Sequence, residues 1–224
     1  MIIKTKINNL QNLHNLDYLH ILLRNYIKKY QYIGNISLDY RQNIRIDYNL
    51  IPFNLNNHII FKYNNTFQQN NILISNKIRK NVLKYCQKFY SLTCIGGESF
   101  IYPIFLKLIH NFNYYSDSKK LIQESLFNFK IYNKNIQYFS KIIDYNKSSN
   151  IHCFDNLIIN LDCLNKNLIN LINHKKNLNN IIIINCNHKD FWKKIKLLTN
   201  FKLKNRNKFI SKTYYITVNL LQRK

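Results

Sequence analysis

The sequence predicts an α/β domain built on a mostly parallel, seven-stranded sheet with an antiparallel terminal strand, preceded by a small α+β segment. Three observations carry this expectation. Ile181 to Ile184 form an unbroken isoleucine run, which reads as a strand buried on both faces, as inside a parallel sheet. From residue 75 onward, strand-like runs alternate with helical patterns, and strands separated by helices require right-handed crossovers and parallel pairing. The last two strand patterns, Phe201–Asn205 and Tyr214–Leu221, follow one another without a helix and end the chain as a hairpin-like pair.

The elements follow in order. Residues 13–30 place Leu16, Leu19, Leu23 and Tyr26 on one helical face. Three short alternating runs near Ile36–Tyr40, Ile44–Tyr48 and His58–Tyr63 predict a small antiparallel sheet. The N-terminal α+β segment is set at residues 1–58 and the α/β domain at 59–224. Ile78, Val82, Tyr85, Cys86 and Phe89 mark an amphipathic helix. Ser91–Ile95 is the first strand of the domain, followed by a glycine-bearing turn and a helix through Leu108. Asn113–Ser116 is the second, followed by a helix carrying Leu121, Ile122, Ser125, Leu126 and Phe129. Ile136–Ile143 is the third, with a weak connection after it. Leu157–Leu161 is the fourth, with a helix around Leu168–Ile172, and Ile181–Ile184 is the fifth, backed by a helix over Phe191–Leu198.

Composition bounds the function. With 224 residues the chain suits one substantial domain and about 60 residues of appended segment. Its 46% apolar and 14% aromatic content is ample for a folded core. There is no alanine and there are only three glycines, against an excess of Asn, Ile, Lys, Tyr and Phe. That bias reads as mutational pressure toward A/T-rich codons, which accounts for part of the lysine. The formal charge of +24 still favours polyanions, nucleic acid first. The cations are also uneven: from Lys189 to Lys224 there are eleven Lys or Arg and one acid, Asp190. Clustering of this kind fits a phosphate-tracking face better than an even coat. The five cysteines have no C-x-x-C spacing, which argues against a zinc ribbon, so no metal is expected. No apolar run approaches the about 18–20 residues that span a bilayer. The N-terminus lacks a hydrophobic signal core, so no membrane partner and a cytoplasmic location are expected, a basic organelle-targeting leader remaining open.

Chemistry concentrates where strands end, because ligands of open α/β sheets bind at the carboxyl ends of their strands. Cys186 closes the isoleucine strand in Asn185-Cys186-Asn187-His188. A thiol there is placed for nucleophilic work; the alternative is a small apolar residue closing a strand. Gly96 and Gly97 follow the first strand in Cys94-Ile95-Gly96-Gly97-Glu98-Ser99 and are two of the chain's three glycines. They suit either close approach of backbone to a ligand or a plain tight turn. Asp117 follows the second strand, where an acid binds ribose hydroxyls; equally, Asp117 or Ser118 could cap the next helix. Asp162 ends the fourth strand beside the strand of Cys186, and a carboxylate at a sheet end is costly without a partner or a task.

Together these pieces resemble the RNA uracil-5-methyltransferase family, over roughly residues 55–224. Phe67-Gln68-Gln69-Asn70-Asn71 resembles the F-x-Q-x-N stretch whose glutamine contacts the methyl donor. Cys94 to Gly97 resembles the C-G-x-G donor loop. Asp117, with Asn128 eleven residues on, is similar to the acid-to-asparagine stretch after the second strand. Leu161-Asp162-Cys163-Leu164-Asn165-Lys166 looks like the D-P-P-R motif, and Ile184-Asn185-Cys186-Asn187-His188 like S-C-N-P, whose cysteine is the nucleophile. A terminal hairpin with an antiparallel strand also separates methyltransferase sheets from dehydrogenase sheets.

The resemblance implies a class I S-adenosylmethionine-dependent methyltransferase fold and an RNA substrate, transfer RNA above all. It implies S-adenosylmethionine held by Gln69, Gly96, Gly97, Asp117 and Asp162, with Cys186 as nucleophile and Asp162 beside donor and base. Departures accompany it. Cys163, Leu164 and Asn165 replace the prolines and arginine of D-P-P-R, and Ile95 stands where a donor-loop glycine is usual. In Ile210-Ser211-Lys212-Thr213-Tyr214-Tyr215-Ile216-Thr217, Thr217 aligns with the glutamate of the family's F-P-x-T-x-H-x-E motif, the proton acceptor. The family's N-terminal RNA-binding barrel and iron–sulfur cysteines are missing, which leaves RNA holding to the basic C-terminal stretch. Two rival readings stay open: a methyltransferase with another nucleic-acid target, and a non-catalytic RNA-binding protein on the same fold.

Overall fold

A computed structural model describes residues 34–38, 44–48, 51–55, 58–63, 66, 72–132, 135–145, 151–161, 164–186, 191–210 and 215–224. The chain divides into two units, Met1–Thr66 and Phe67–Lys224. The helix expected over residues 13–30 lies outside the described residues. In the first unit, β1 (Gly34–Leu38) pairs antiparallel with β2 (Ile44–Tyr48), and β3 (Ile51–Leu55) with β4 (His58–Lys62). Among the described residues four strands in two small sheets thus replace the three expected. Pro52 hides β3 from the sequence, since proline lacks the amide donor of a ladder and argues against a strand. The β3–β4 ladder also explains the division point: a cut at 58/59 would split paired strands, and the units part after Thr66 instead.

The second unit holds α1 (Ile72–Cys86), β5 (Ser91–Ile95), a 3-10 helix (Ser99–Phe105), β6 (Asn111–Ser116), α2 (Lys119–Tyr132) and β7 (Gln137–Ile142). It continues with β8 (Asn156–Asn160), α3 (Lys166–His174), β9 (Asn180–Asn185), α4 (Phe191–Lys196), β10 (Phe201–Ile210) and β11 (Tyr215–Arg223). These strands form one sheet in the order β10-β11-β9-β8-β5-β6-β7. Strands β5 to β9 run parallel, while β11 is antiparallel to both β9 and β10. The expected fold class holds, with one refinement: the antiparallel strand is wedged one place inside the sheet and β10 takes the edge. The chain builds from β5 outward to β7, then returns to the far side of β5 for β8. Strand order therefore reverses between β5 and β8, and such switch points open a crevice at the carboxyl ends.

Burial explains why these segments fold as they do. All five residues of β5 are buried, as are Ile181 to Ile184 of β9. The β9 isoleucines Ile181 and Ile183 share a core with Leu168, Ile169 and Ile172 of α3 and Phe191 and Ile195 of α4. Each such side chain contributes about 1.5–3 kcal/mol on leaving water. Helix α2 buries Leu121, Ile122, Ser125, Asn128 and Phe129. Leu126, expected on that buried face, is 49% exposed. The helix expected through Leu108 is a short 3-10 helix with Pro103 inside it, in keeping with a proline that supplies no amide to an α-helical ladder. Among the described residues no helix is long and apolar enough to cross a membrane, and no group of three His, Cys, Asp or Glu could hold a metal ion.

Candidate active site at the carboxyl edge of the sheet

Gly96 and Gly97 directly follow β5 with φ of +74° and +50°. This left-handed region costs other residues about 1–2 kcal/mol. Space is closed to them as well. A Cβ on Gly96 would meet the Leu161 side chain and stand 2.7 Å from the Asn160 carbonyl oxygen, and one on Gly97 would stand 2.7 Å from Asn160 Cγ. From the other flank, the Gly96 amide donates to the Tyr115 carbonyl (2.8 Å) and the Tyr114 hydroxyl donates to the Gly97 carbonyl (2.6 Å). The turn is thus clamped between the ends of β6 and β8, at the switch point itself. Packing alone already demands both glycines.

Asp117 is exposed just past β6, one strand from that turn. The capping role falls to its neighbour: Ser118 Oγ accepts the Leu121 amide at 3.4 Å. The Asp117 amide donates to the Tyr145 hydroxyl at 3.2 Å. Burial, with the Asp117 carboxylate beside it, pushes the Tyr145 hydroxyl up to about 12. The Tyr145 carbonyl accepts from Asn165 Nδ2 at 2.7 Å, while Asn165 Oδ1 accepts the Leu168 amide at 2.8 Å and so caps α3. Tyr145 therefore bridges the end of β6 to the start of α3, a link that sequence reading missed because its partners lie 28 and 20 residues away. Asn165, standing where the resemblance has an arginine, is committed to these two bonds. Asn128 is not brought to this edge; it is buried in α2 and donates to the Glu124 carbonyl at 2.7 Å.

Cys186 is exposed and follows the last residue of β9. Two inter-strand steps, about 10 Å, separate the end of β9 from that of β5. Thr217 of β11 pairs with Asn185, so the residue aligned with the family glutamate stands across the ladder from the neighbour of Cys186. Thr217 is buried, and its hydroxyl accepts from Asn219 Nδ2 at 3.0 Å. The proposed site residues Gln69 and Asp162 lie outside the described residues, as does His188.

The described cysteines separate sharply by environment. Cys86, Cys94 and Cys153 are buried. Burial pushes the thiols of Cys86 and Cys94 far up, and that of Cys153 up to about 11. Thiolate is the nucleophilic form, so these three are inert near neutral pH. Iodoacetamide at neutral pH is expected to label Cys186 while sparing Cys86, Cys94 and Cys153 until the chain unfolds. Peptide mass mapping reads the result, and early labelling of the buried three would contradict it.

A buried ion pair supports the turn from behind. Arg79 of α1 and Glu98, next after the glycine pair, meet at 3.2 Å with side chains 5% and 9% exposed. Arg79 Nη1 also donates to Asn76 Oδ1 at 3.1 Å. Sequence reading placed Glu98 in the turn without assigning it a partner. An arginine on the helix before the first strand is the one available signal.

No protein-family model and no curated protein sequence matches the chain. Its architecture does match solved structures. The tRNA (uracil-54, C5)-methyltransferase of Pyrococcus abyssi, in complex with S-adenosyl-L-homocysteine, superposes with a TM-score of 0.64 at 18% identity, covering 84% of this chain and 49% of that one. TYW2 of P. horikoshii, in complex with MeSAdo, gives 0.58 at 9% identity over 94% and 84% of the two chains. TrmK of M. capricolum, in complex with S-adenosyl-homocysteine, gives 0.51 at 15% identity over 65% and 67%. The chain spans about half the length of the Pyrococcus abyssi enzyme. At these identities the likeness is one of fold, and that fold is the class I S-adenosylmethionine-dependent methyltransferase fold.

Proposed function

We propose that the chain is an S-adenosylmethionine-dependent RNA methyltransferase that methylates C5 of a uridine in cytoplasmic transfer RNA, through a covalent adduct with Cys186. One observation carries the reading. Among the described cysteines Cys186 alone is exposed, at the carboxyl end of β9 on the sheet edge that also bears the glycine turn and Asp117, while Cys86, Cys94 and Cys153 are buried.

The residues present fit a nucleoside-bearing donor. Asp117 is an exposed carboxylate suited to ribose hydroxyls, and the glycine turn brings bare backbone to the switch-point crevice. When bound, the donor supplies an electrophilic methyl group on a sulfonium. Gln69 and Asp162 complete the donor set by resemblance. Uracil C5 is a weak nucleophile. The Cys186 thiolate adds to C6 and pushes the electron pair onto C5, which becomes able to accept the methyl. Loss of the C5 proton to a base then lets the C6–S bond break and returns the thiolate. Reaching the base requires extrusion of the uridine from its stack.

One observation favours a second reading, an RNA-binding protein without turnover. Thr217 is a buried hydroxyl already bonded to Asn219, and a threonine is no base near neutral pH. Calorimetry with S-adenosylhomocysteine, together with transfer of labelled methyl to tRNA and nucleoside analysis, separates these readings. Binding heat and labelled 5-methyluridine are expected. Binding without product favours the second reading; absence of binding overturns the donor site; label on another nucleoside overturns the C5 assignment.

A further inference from the structure

We propose that the outer strand β10 holds the phosphate backbone on one flank of the target nucleotide, with Lys208 and Arg206 as its phosphate ligands. The inference rests on the RNA methyltransferase reading and assigns that site its substrate-holding surface.

Charge comes first. Lys202, Lys204, Arg206 and Lys208 are all exposed on a single ten-residue edge strand. From Lys189 to Lys224 the chain carries eleven Lys or Arg against one acid, Asp190. A one-residue irregularity between Leu203 and Asn205 sets Lys204 outside the ladder. Beyond it, Arg206 pairs with Asn219 and Lys208 with Thr217, so both cations lie on one face at successive same-face positions. Such positions are about 6.8 Å apart along a strand, comparable to successive phosphates of an extended single strand.

Location comes second. Lys208, Thr217 and Asn185 form one row across β10, β11 and β9, and Cys186 follows Asn185. Two inter-strand steps put the Lys208 backbone about 10 Å from that of Asn185. A phosphate at Lys208 is therefore within roughly one nucleotide's reach of a base presented to Cys186. Arg206 lies on the next same-face position, further from the carboxyl edge, and continues the track.

Order comes third. The Arg206 guanidinium sits 4.6 Å from the centroid of Trp192, and Lys208 Nζ 4.2 Å from that of Tyr215. Aromatic faces steady these cations without neutralising them, which lowers the entropy lost on gripping an anion. The same half-buried rings give bases a stacking surface.

The test uses the full chain and a fluorescein-labelled single-stranded oligouridylate, read by fluorescence anisotropy over a salt series. Arg206→Glu with Lys208→Glu is expected to weaken binding at least about tenfold and to reduce the salt slope by roughly 1 per cation removed. Arg206→Gln with Lys208→Gln should fall between it and the parent. Lys130→Glu with Lys141→Glu, on α2 and the opposite edge strand β7, should change affinity far less. Equal losses for the two reversals, or unchanged affinity in the first, overturn the proposal. Melting curves and S-adenosylhomocysteine binding establish that each variant is folded. A parent chain that binds no donor sinks the methyltransferase reading, while a local loss of RNA affinity still tells on β10.

Discussion

Replacing Cys186 by alanine is expected to lower uracil methylation by a factor on the order of 10⁴ or more, the scale at which an enzyme deprived of its covalent nucleophile retains only binding and positioning. The adduct with 5-fluorouracil-containing RNA, which the parent traps because fluorine replaces the C5 proton whose loss would release the thiol, should disappear at the same time for want of the sulfur that forms it. None of the other described cysteines can substitute. Cys153 is held protonated by burial, its thiol raised to about 11, and Cys86 and Cys94 are buried deeper still. S-adenosylhomocysteine binding should be unchanged, since Cys186 is not among the residues proposed to hold the donor. Methylation that survives in Cys186→Ala would exclude the nucleophile role and leave a methyltransferase of different chemistry.

Glu98→Ala is the variant expected to cost most in stability. It leaves the Arg79 guanidinium buried, 4% exposed, without its carboxylate. Stranding one member of a buried ion pair costs about 3–5 kcal/mol. Urea denaturation should show the transition midpoint falling with little change in slope. The glycine turn should suffer too, because Glu98 adjoins Gly97 and ties it to α1. Replacing both partners by apolar residues of similar size, Arg79→Met with Glu98→Leu, should recover most of the loss, since neither charge is then left uncompensated. A single Glu98→Ala cost below about 1 kcal/mol would contradict a desolvated pair.

The framework was readable because the strands announce themselves by composition. Ser91–Ile95 was placed to the residue and Ile181–Ile184 to within one at each end, since runs of buried apolar residues in a parallel sheet need no alternation. Strand β10 runs past the expected Asn205 to Ile210 because β11 pairs with it that far, while Lys204-Asn205-Arg206-Asn207-Lys208 carries no apolar alternation to mark a strand. β3 was hidden by Pro52, and Leu126 was misplaced because α2 turns Glu124 and Asn128 inward. For the site, the strand-end positions of Cys186, the glycines and Asp117 followed from the fold class. What the sequence could not supply was cause. The glycines are forced by Asn160 and Leu161, more than sixty residues away, and Asp117 is released from capping by Ser118. Both facts depend on which strands become neighbours, and local pattern does not encode that.

A ten-residue strand at the rim of a sheet is an open template, ready to recruit the matching strand of a second molecule and seed aggregates. Here two copies meeting rim to rim would crowd Lys202, Lys204, Arg206 and Lys208 against their equivalents, and mutual repulsion keeps the rims apart. High salt or lysine acylation would remove the guard and invite intermolecular β-pairing.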